Sequence, residues 1–276
     1  MLTRLEILER IKLIGEEVQK SFSIAEAALL LALLDFPEKS LPFYYEELRL
    51  ISSNMSKFSG GVDSVAELGE AVSKTLFKTH NYTGDRTSYD NAENANLIRV
   101  IDRKKGLPVA LGILYIHAAR SQGWNIWGIN FPNHFILRLT KHGEHLWIDP
   151  FTDGKILKYT DLKKIFQRIN GTQVNLESSF IRAVSDREVL IRLQNNIKLR
   201  AQLQGDQRRV IDILETMVLL APFHVDFAKE VALLEAIQGN YNSSLAHLSN
   251  CINHNPESHR IHELIEFREQ LKYKLN

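Results

Sequence analysis

One cysteine, Cys251, stands in 276 residues, so the chain can close no disulfide within itself, which fits a reducing compartment. Long apolar stretches are equally scarce. The longest, Ala27–Leu34, is eight residues between Glu26 and Asp35, against the roughly 20 that cross a bilayer; it reads as a buried helix. Neither sign of charge is in excess. With 34 basic and 33 acidic residues the formal charge is +1, which gives no electrostatic reason to expect nucleic acid or an anionic membrane as partner. There is no glycine-rich phosphate loop, Lys104-Lys105 is too short for a nucleic-acid footprint, and His117, His142 and His145 show no zinc spacing. No metal and no cofactor are expected. The start, Met1 to Arg10, mixes charge with apolar residues as a helix does and a secretory leader does not, and a cytoplasmic protein is expected.

What is present suits a folded chain: 44% hydrophobic and 24% charged residues, with length for one large or two ordinary domains. Leu5, Leu8, Ile11, Ile14 and Val18 predict a helix over residues 2–20. Ser23–Leu34, ended by Pro37, Pro42–Ser56 and the amphipathic Ser64–Thr79 predict three more. His80–Asn91, polar and holding Gly84, reads as a loop, and Asn94–Arg103 as a short helix. Pro108 then opens an apolar helix, Val109–Gln122, and suits its first turn. Trp124–Phe131, Phe135–Thr140 and His145–Asp149 are short and rich in aromatic and β-branched residues. They read as antiparallel strands, split by Pro132 and by Lys141–Glu144. Asp161–Ile169 returns to helix, Gly171–Leu176 is a strand or a linker, and everything from Val189 onward is helical.

The last third repeats itself. Gly205 and Gly239 are 34 residues apart, as are Pro222 and Pro256, and the same shift superposes Ile197 on Val231, Leu199 on Leu233, Ile211 on Leu245, Leu214 on Leu248 and Val218 on Ile252. A 34-residue helix–turn–helix period is the tetratricopeptide signature. Ser258–Leu275 would cap the array, and Cys251 would be a small core residue.

For chemistry, the strands carrying His134 and Asp149 matter most. A turn centred on Lys141-His142 would set His134 opposite Asp149, Ile136 opposite Trp147 and Arg138 opposite His145, all on one face. An aspartate there would accept the imidazole N–H and fix its tautomer, whereas a one-residue slip would separate the two. His134 is then a general base, a ligand-binding residue or a structural histidine tied to Asp149. Asn130 and Asn133 would form a crevice lip beside it. Asn94 would line the crevice or cap its own helix. Trp147, on the same face, joins these as a candidate binding residue.

A helix N-terminus, a histidine strand and an aspartate strand follow the order of papain-like and transglutaminase-like thiol enzymes. Gly106-Leu-Pro-Val-Ala-Leu-Gly-Ile-Leu-Tyr115, Gly123–Arg138, Leu146–Gly154 and Tyr89–Ile98 resemble the transglutaminase-like domain of the bacterial SirB-type regulator family, most strongly over residues 80–160. That resemblance implies C-terminal tetratricopeptide repeats. It also implies a degenerate triad: His134 at the catalytic histidine, Asp149 at the third residue, and Pro108 where such enzymes keep cysteine, whose thiolate a helix N-terminus favours.

The expected fold is α+β. Residues 1–175 would form a helical N-terminal region with a transglutaminase-like helix and antiparallel sheet, and 185–276 an all-α repeat domain. The expected function is a cysteine-less, non-catalytic protein that binds and regulates a protein partner through its repeats. The alternative is a hydrolase or transferase that uses His134 and Asp149 as a general-base dyad.

Overall fold

Helix ends follow the local chemistry of the sequence. Ser23 accepts the Glu26 N–H at 3.3 Å, and Ser64 and Glu67 exchange side-chain bonds with each other's backbone N–H groups, a capping box. The computed structural model describes residues 2–16, 22–171, 175–254 and 260–275. Val18, Pro256, the start of Ser258–Leu275 and the middle of Gly171–Leu176 lie outside the described residues. The chain forms two units: Phe22–Leu193 with its first two residues, and Gln194–Asn276 with Thr3–Ser21. The first helix, α1 (Arg4–Glu16), therefore groups with the C-terminal helices and not with the segment that follows it, which chain order alone does not foretell.

The first unit runs α2 (Ile24–Leu33), α3 (Leu41–Ser59), α4 (Val65–Ser73) with a π-helical turn after it, β1 (Thr83–Gly84), α5 (Leu97–Arg103), β2 (Lys105–Gly106), α6 (Pro108–Arg120), β3 (Asn125–Ile129), β4 (Ile136–Lys141), β5 (Glu144–Asp149), β6 (Lys155–Leu157), α7 (Tyr159–Asn170), β7 (Ala183–Val184) and the start of α8 (Asp186–Leu203). Strands β3 to β7 form one antiparallel sheet in the order β6-β5-β4-β3-β7. The unit is α+β, as the sequence predicts. The short strands β1, β2, β6 and β7 have no counterpart in the sequence reading, because two or three residues carry no period.

Helix α6 is the axis of this unit. Every residue from Pro108 to Ile116 is buried, so it is apolar all round, as a core helix is. It packs on the sheet by close approach: a Cβ at Gly112 would collide with the Phe135 ring, and one at Gly128 would lie 3.0 Å from it. Phe135 is thus wedged between helix and strand, and it fixes the chain beside His134. Gly112→Ala is expected to cost about 1–2 kcal/mol by forcing that ring off its rotamer, measured as a lower urea midpoint with unchanged slope.

The hairpin register differs from expectation. Its turn is His142-Gly143, with φ of +50° and +83°, a pair suited to the twist of a two-residue hairpin. Arg138 consequently faces Trp147, and Thr140 faces His145. The expected pairs are displaced by two residues, and a shift of two leaves every side chain on the face assigned to it.

The second unit contains α1, the end of α8, α9 (Gln207–Leu220), α10 (Val225–Ile237), α11 (Tyr241–His254) and α12 (Ile261–Leu275). Gly205 (φ +72°) follows α8, and Gly239 (φ +82°) follows α10; this left-handed conformation favours glycine at helix C-termini. Cys251 is buried with Val225, Ala228, Leu248, Leu264 and Leu271. Among the described residues no helix is long and apolar enough to cross a membrane.

Candidate functional site

His134 does not lie within a strand. Pro132 and Asn133 form the turn between β3 and β4, with Asn133 at φ +50°, and His134 stands just before β4. This turn is held from outside: the Arg192 guanidinium donates to the carbonyls of Phe131 at 3.3 Å and His134 at 2.7 Å. It also sits over the Phe135 ring at 5.5 Å. Burial lowers the Arg192 pKa. No sequence signal marks Arg192, because an arginine in an ordinary helix gives no hint that it returns to a turn 58 residues earlier.

The expected pairing of His134 with Asp149 is present, reached diagonally and not straight across. His134 Nε2 is 3.1 Å from Asp149 Oδ2. The same oxygen accepts the Thr152 hydroxyl at 2.8 Å, and Oδ1 accepts the Phe151 and Thr152 N–H groups at 2.9 and 3.2 Å. Burial alone would raise the Asp149 pKa, but the His134 bond and charge, the Thr152 hydroxyl and the Phe151 amide together hold it below the usual carboxylate range. In the neutral imidazole an ionised Asp149 holds the proton on Nε2 and leaves the lone pair on Nδ1, which has no hydrogen-bond partner among the described residues. The imidazole is 22% exposed and the carboxylate 6%, so the pair meets solvent through the histidine.

Pro108 is the first residue of α6, after the extended Leu107. Its ring fills a position where a missing N–H costs no helical bond. Tyr115, two turns along the same helix, is buried, and its hydroxyl has no partner among the described residues. Burial, then the charges of Asp153 and Asp149, push its pKa up, so this phenol stays protonated beside the acids. The sequence reading missed it as one more apolar helix residue.

The remaining candidates separate. Asn130 and Asn133 are exposed at the turn. Asn94 is fully buried: its amide donates to Ser88 and Tyr89 carbonyls and its oxygen accepts from Arg103. It neither lines a crevice nor caps α5; the cap is Asn96, whose side chain accepts the Arg99 N–H. Trp147 is 7% exposed and packs with Leu157, Leu162 and Phe166. Core packing thus accounts for Trp147, whose face of the sheet is covered by α7. In place of these two, Tyr89 and Phe151 stand edge to face at 5.6 Å, Phe151 directly after the Asp149-Pro150 strand end.

A family model of the transglutaminase-like superfamily matches residues 44–195, more than half of the chain and all of the elements just described. The chain belongs to the transglutaminase-like superfamily. A UPF0162 protein of Vibrio cholerae is 27% identical over 210 residues, which cover 74% of this chain and 77% of that one. Human F-box only protein 21 is 26% identical over 141 residues, covering 42% of this chain and 22% of that protein. Among solved structures, menin, described with its binding site for the Mixed Lineage Leukemia protein, covers 90% of this chain and is itself covered over 69%, at 10% identity and a TM-score of 0.42, too slight a likeness to argue from. Within a transglutaminase-like domain, the order of α6, His134 and Asp149 is the order of the thiol enzymes, with proline at the head of the helix.

Proposed function

We propose that this transglutaminase-like chain is a non-catalytic, regulatory binding protein of the SirB type, which holds a protein segment on tetratricopeptide-like repeats in its second unit. One observation carries the reading. Leu199 and Leu203 on α8 are 52% and 76% exposed, and the residues 34 positions on, Leu233 and Ile237 on α10, are 49% and 68% exposed. Two apolar residues one turn apart, repeated on two equivalent helices, make a repeated apolar surface of the kind that holds a partner. Pro108 supports the non-catalytic half of the reading, since it offers no attacking atom.

Affinity capture with the wild type, Leu233→Asp/Ile237→Asp and His134→Ala tests it. The paired aspartates are expected to weaken capture of the partner at least tenfold, as removal of central apolar anchors does, while His134→Ala captures normally. Capture indifferent to the aspartates would sink the proposal.

The unpartnered Nδ1 of His134 favours a second reading: a hydrolase or transferase in which His134, oriented by Asp149, acts as general base toward water or a substrate hydroxyl. It predicts turnover of an amide or ester by the isolated protein that His134→Ala abolishes. Absence of any such His134-dependent turnover across a panel of both substrate types would remove it.

A further inference from the structure

The geometry points to a second site, in the helical unit: we propose that Glu215, Glu235 and His247 bind a divalent first-row transition-metal ion of the Zn2+ class. The three residues come from α9, α10 and α11, and one ligand atom of each lies within 4.8 Å of the other two. His247 Nε2 and Glu215 Oε1 are 3.6 Å apart. Two ligands of a tetrahedral ion with bonds of about 2.1 Å are roughly 3.4 Å apart, so this pair already stands at coordinating distance. Small side-chain rotations bring in the third.

Glu235 is the decisive member. It is 3% exposed, and among the described residues the one group hydrogen-bonded to its carboxylate is the neutral Asn240 amide, at 2.7 Å on Oε2. A buried carboxylate with one oxygen unpaired and a second carboxylate beside it calls for a cation. Glu215 and Glu235 line a cavity of about 500 Å³ together with Arg208, Asn240 and Tyr241, which leaves room for an ion to enter and for water to complete its shell. With neutral imidazole the three ligands carry two negative charges, which a divalent ion balances. The imidazole selects Zn2+ or Co2+ over Mg2+. The spacing rule fails for this site because its ligands sit one on each of three helices, 20 and 12 residues apart in the chain.

The reading is independent of partner binding and of the His134 site. Its test is calorimetric titration of the chelator-stripped full chain with ZnCl2, with Co2+ absorption as a second readout. The expected result is uptake of one ion per chain, undisturbed by a hundredfold excess of MgCl2, and Co2+ bands in the visible from a mixed nitrogen–oxygen site. His247→Gln, on the partly exposed face of α11, should weaken Zn2+ at least tenfold and bleach the Co2+ bands, and Glu235→Gln should do the same. A wild type without saturable one-to-one uptake overturns the proposal, and so does His247→Gln with wild-type uptake. Should Glu235→Gln fail to fold, the wild-type Co2+ spectrum and His247→Gln decide alone.

Discussion

Asp149→Ala is expected to destabilise the first unit by about 3–5 kcal/mol, the cost of stripping a buried charge from its partners. Alanine removes four bonds at once: those from His134, the Thr152 hydroxyl, and the Phe151 and Thr152 amides. Two of these donors are backbone N–H groups just past a strand end, and they would lose their partner. Asp149→Asn is expected to cost much less, about 1–2 kcal/mol. Its oxygen still accepts both amides, and its NH2 can donate to the Thr152 hydroxyl and to a retautomerised His134. Acid separates the cases further. The folded pKa of Asp149 lies below its ordinary value, so its contribution is complete above the unfolded pKa of about 3.9 and is lost as pH falls through the folded value. The gap between wild type and Asp149→Asn should therefore persist at pH 5 and narrow below about pH 4. Urea midpoints for the three proteins at pH 7, 5 and 3.5 check this. Equal destabilisation by asparagine and alanine would mean that the charge, and not the bonding pattern, holds the strand end.

The same residues show what the sequence could and could not disclose. Pro108 at a helix start, the hairpin, and His134 near Asp149 are all legible, because each depends on local chemistry: a proline ring at a first turn, alternation along a strand, a short connection. Even an error of two residues in register left His134 and Asp149 on one face, since the side-chain period is two. Asn94 and Trp147 were misplaced for the opposite reason. Their roles are decided by what folds over them, the arginine of α5 in one case and α7 in the other. Arg192 and Tyr115 belong to the same class: a guanidinium that braces a turn and a phenol beside two carboxylates are visible only once α6 and α8 are set against the sheet. Gly205 and Gly239 lie 34 residues apart and each follows a helix, yet that spacing could not show that Leu199 and Leu233 face outward while Leu214 and Leu248 face in.

Arg103→Met should destabilise the first unit by about 3 kcal/mol, because one guanidinium organises the loop that borders the candidate site. It donates to Asn94 Oδ1 and to Asp85 Oδ2, both at 2.9 Å, and lies 3.4 Å from Glu93. Asn94 in turn holds the Ser88 and Tyr89 carbonyls, and Asp85 accepts the Ser88 N–H at 3.0 Å. Asp85 is buried, which would raise its pKa, but the Ser88 amide and Arg103 hold it below the usual carboxylate range. Methionine keeps most of the arginine stem and its packing, so the loss reports the charge and its bonds. If the cost comes from leaving Asp85 buried and unpaired, Asp85→Asn/Arg103→Met should be more stable than Arg103→Met alone, with a coupling of about 1–2 kcal/mol in the double-mutant cycle. Amide exchange supplies the local readout: Ser88 and Asn94 N–H groups should exchange faster in Arg103→Met, and those of α6 only by as much as the global stability falls. Tyr89 stands on this loop and meets Phe151 edge to face, so loosening it also frees the aromatic wall beside Asp149. Additive single mutants with no coupling would instead place the role of Arg103 in its bond to Asn94.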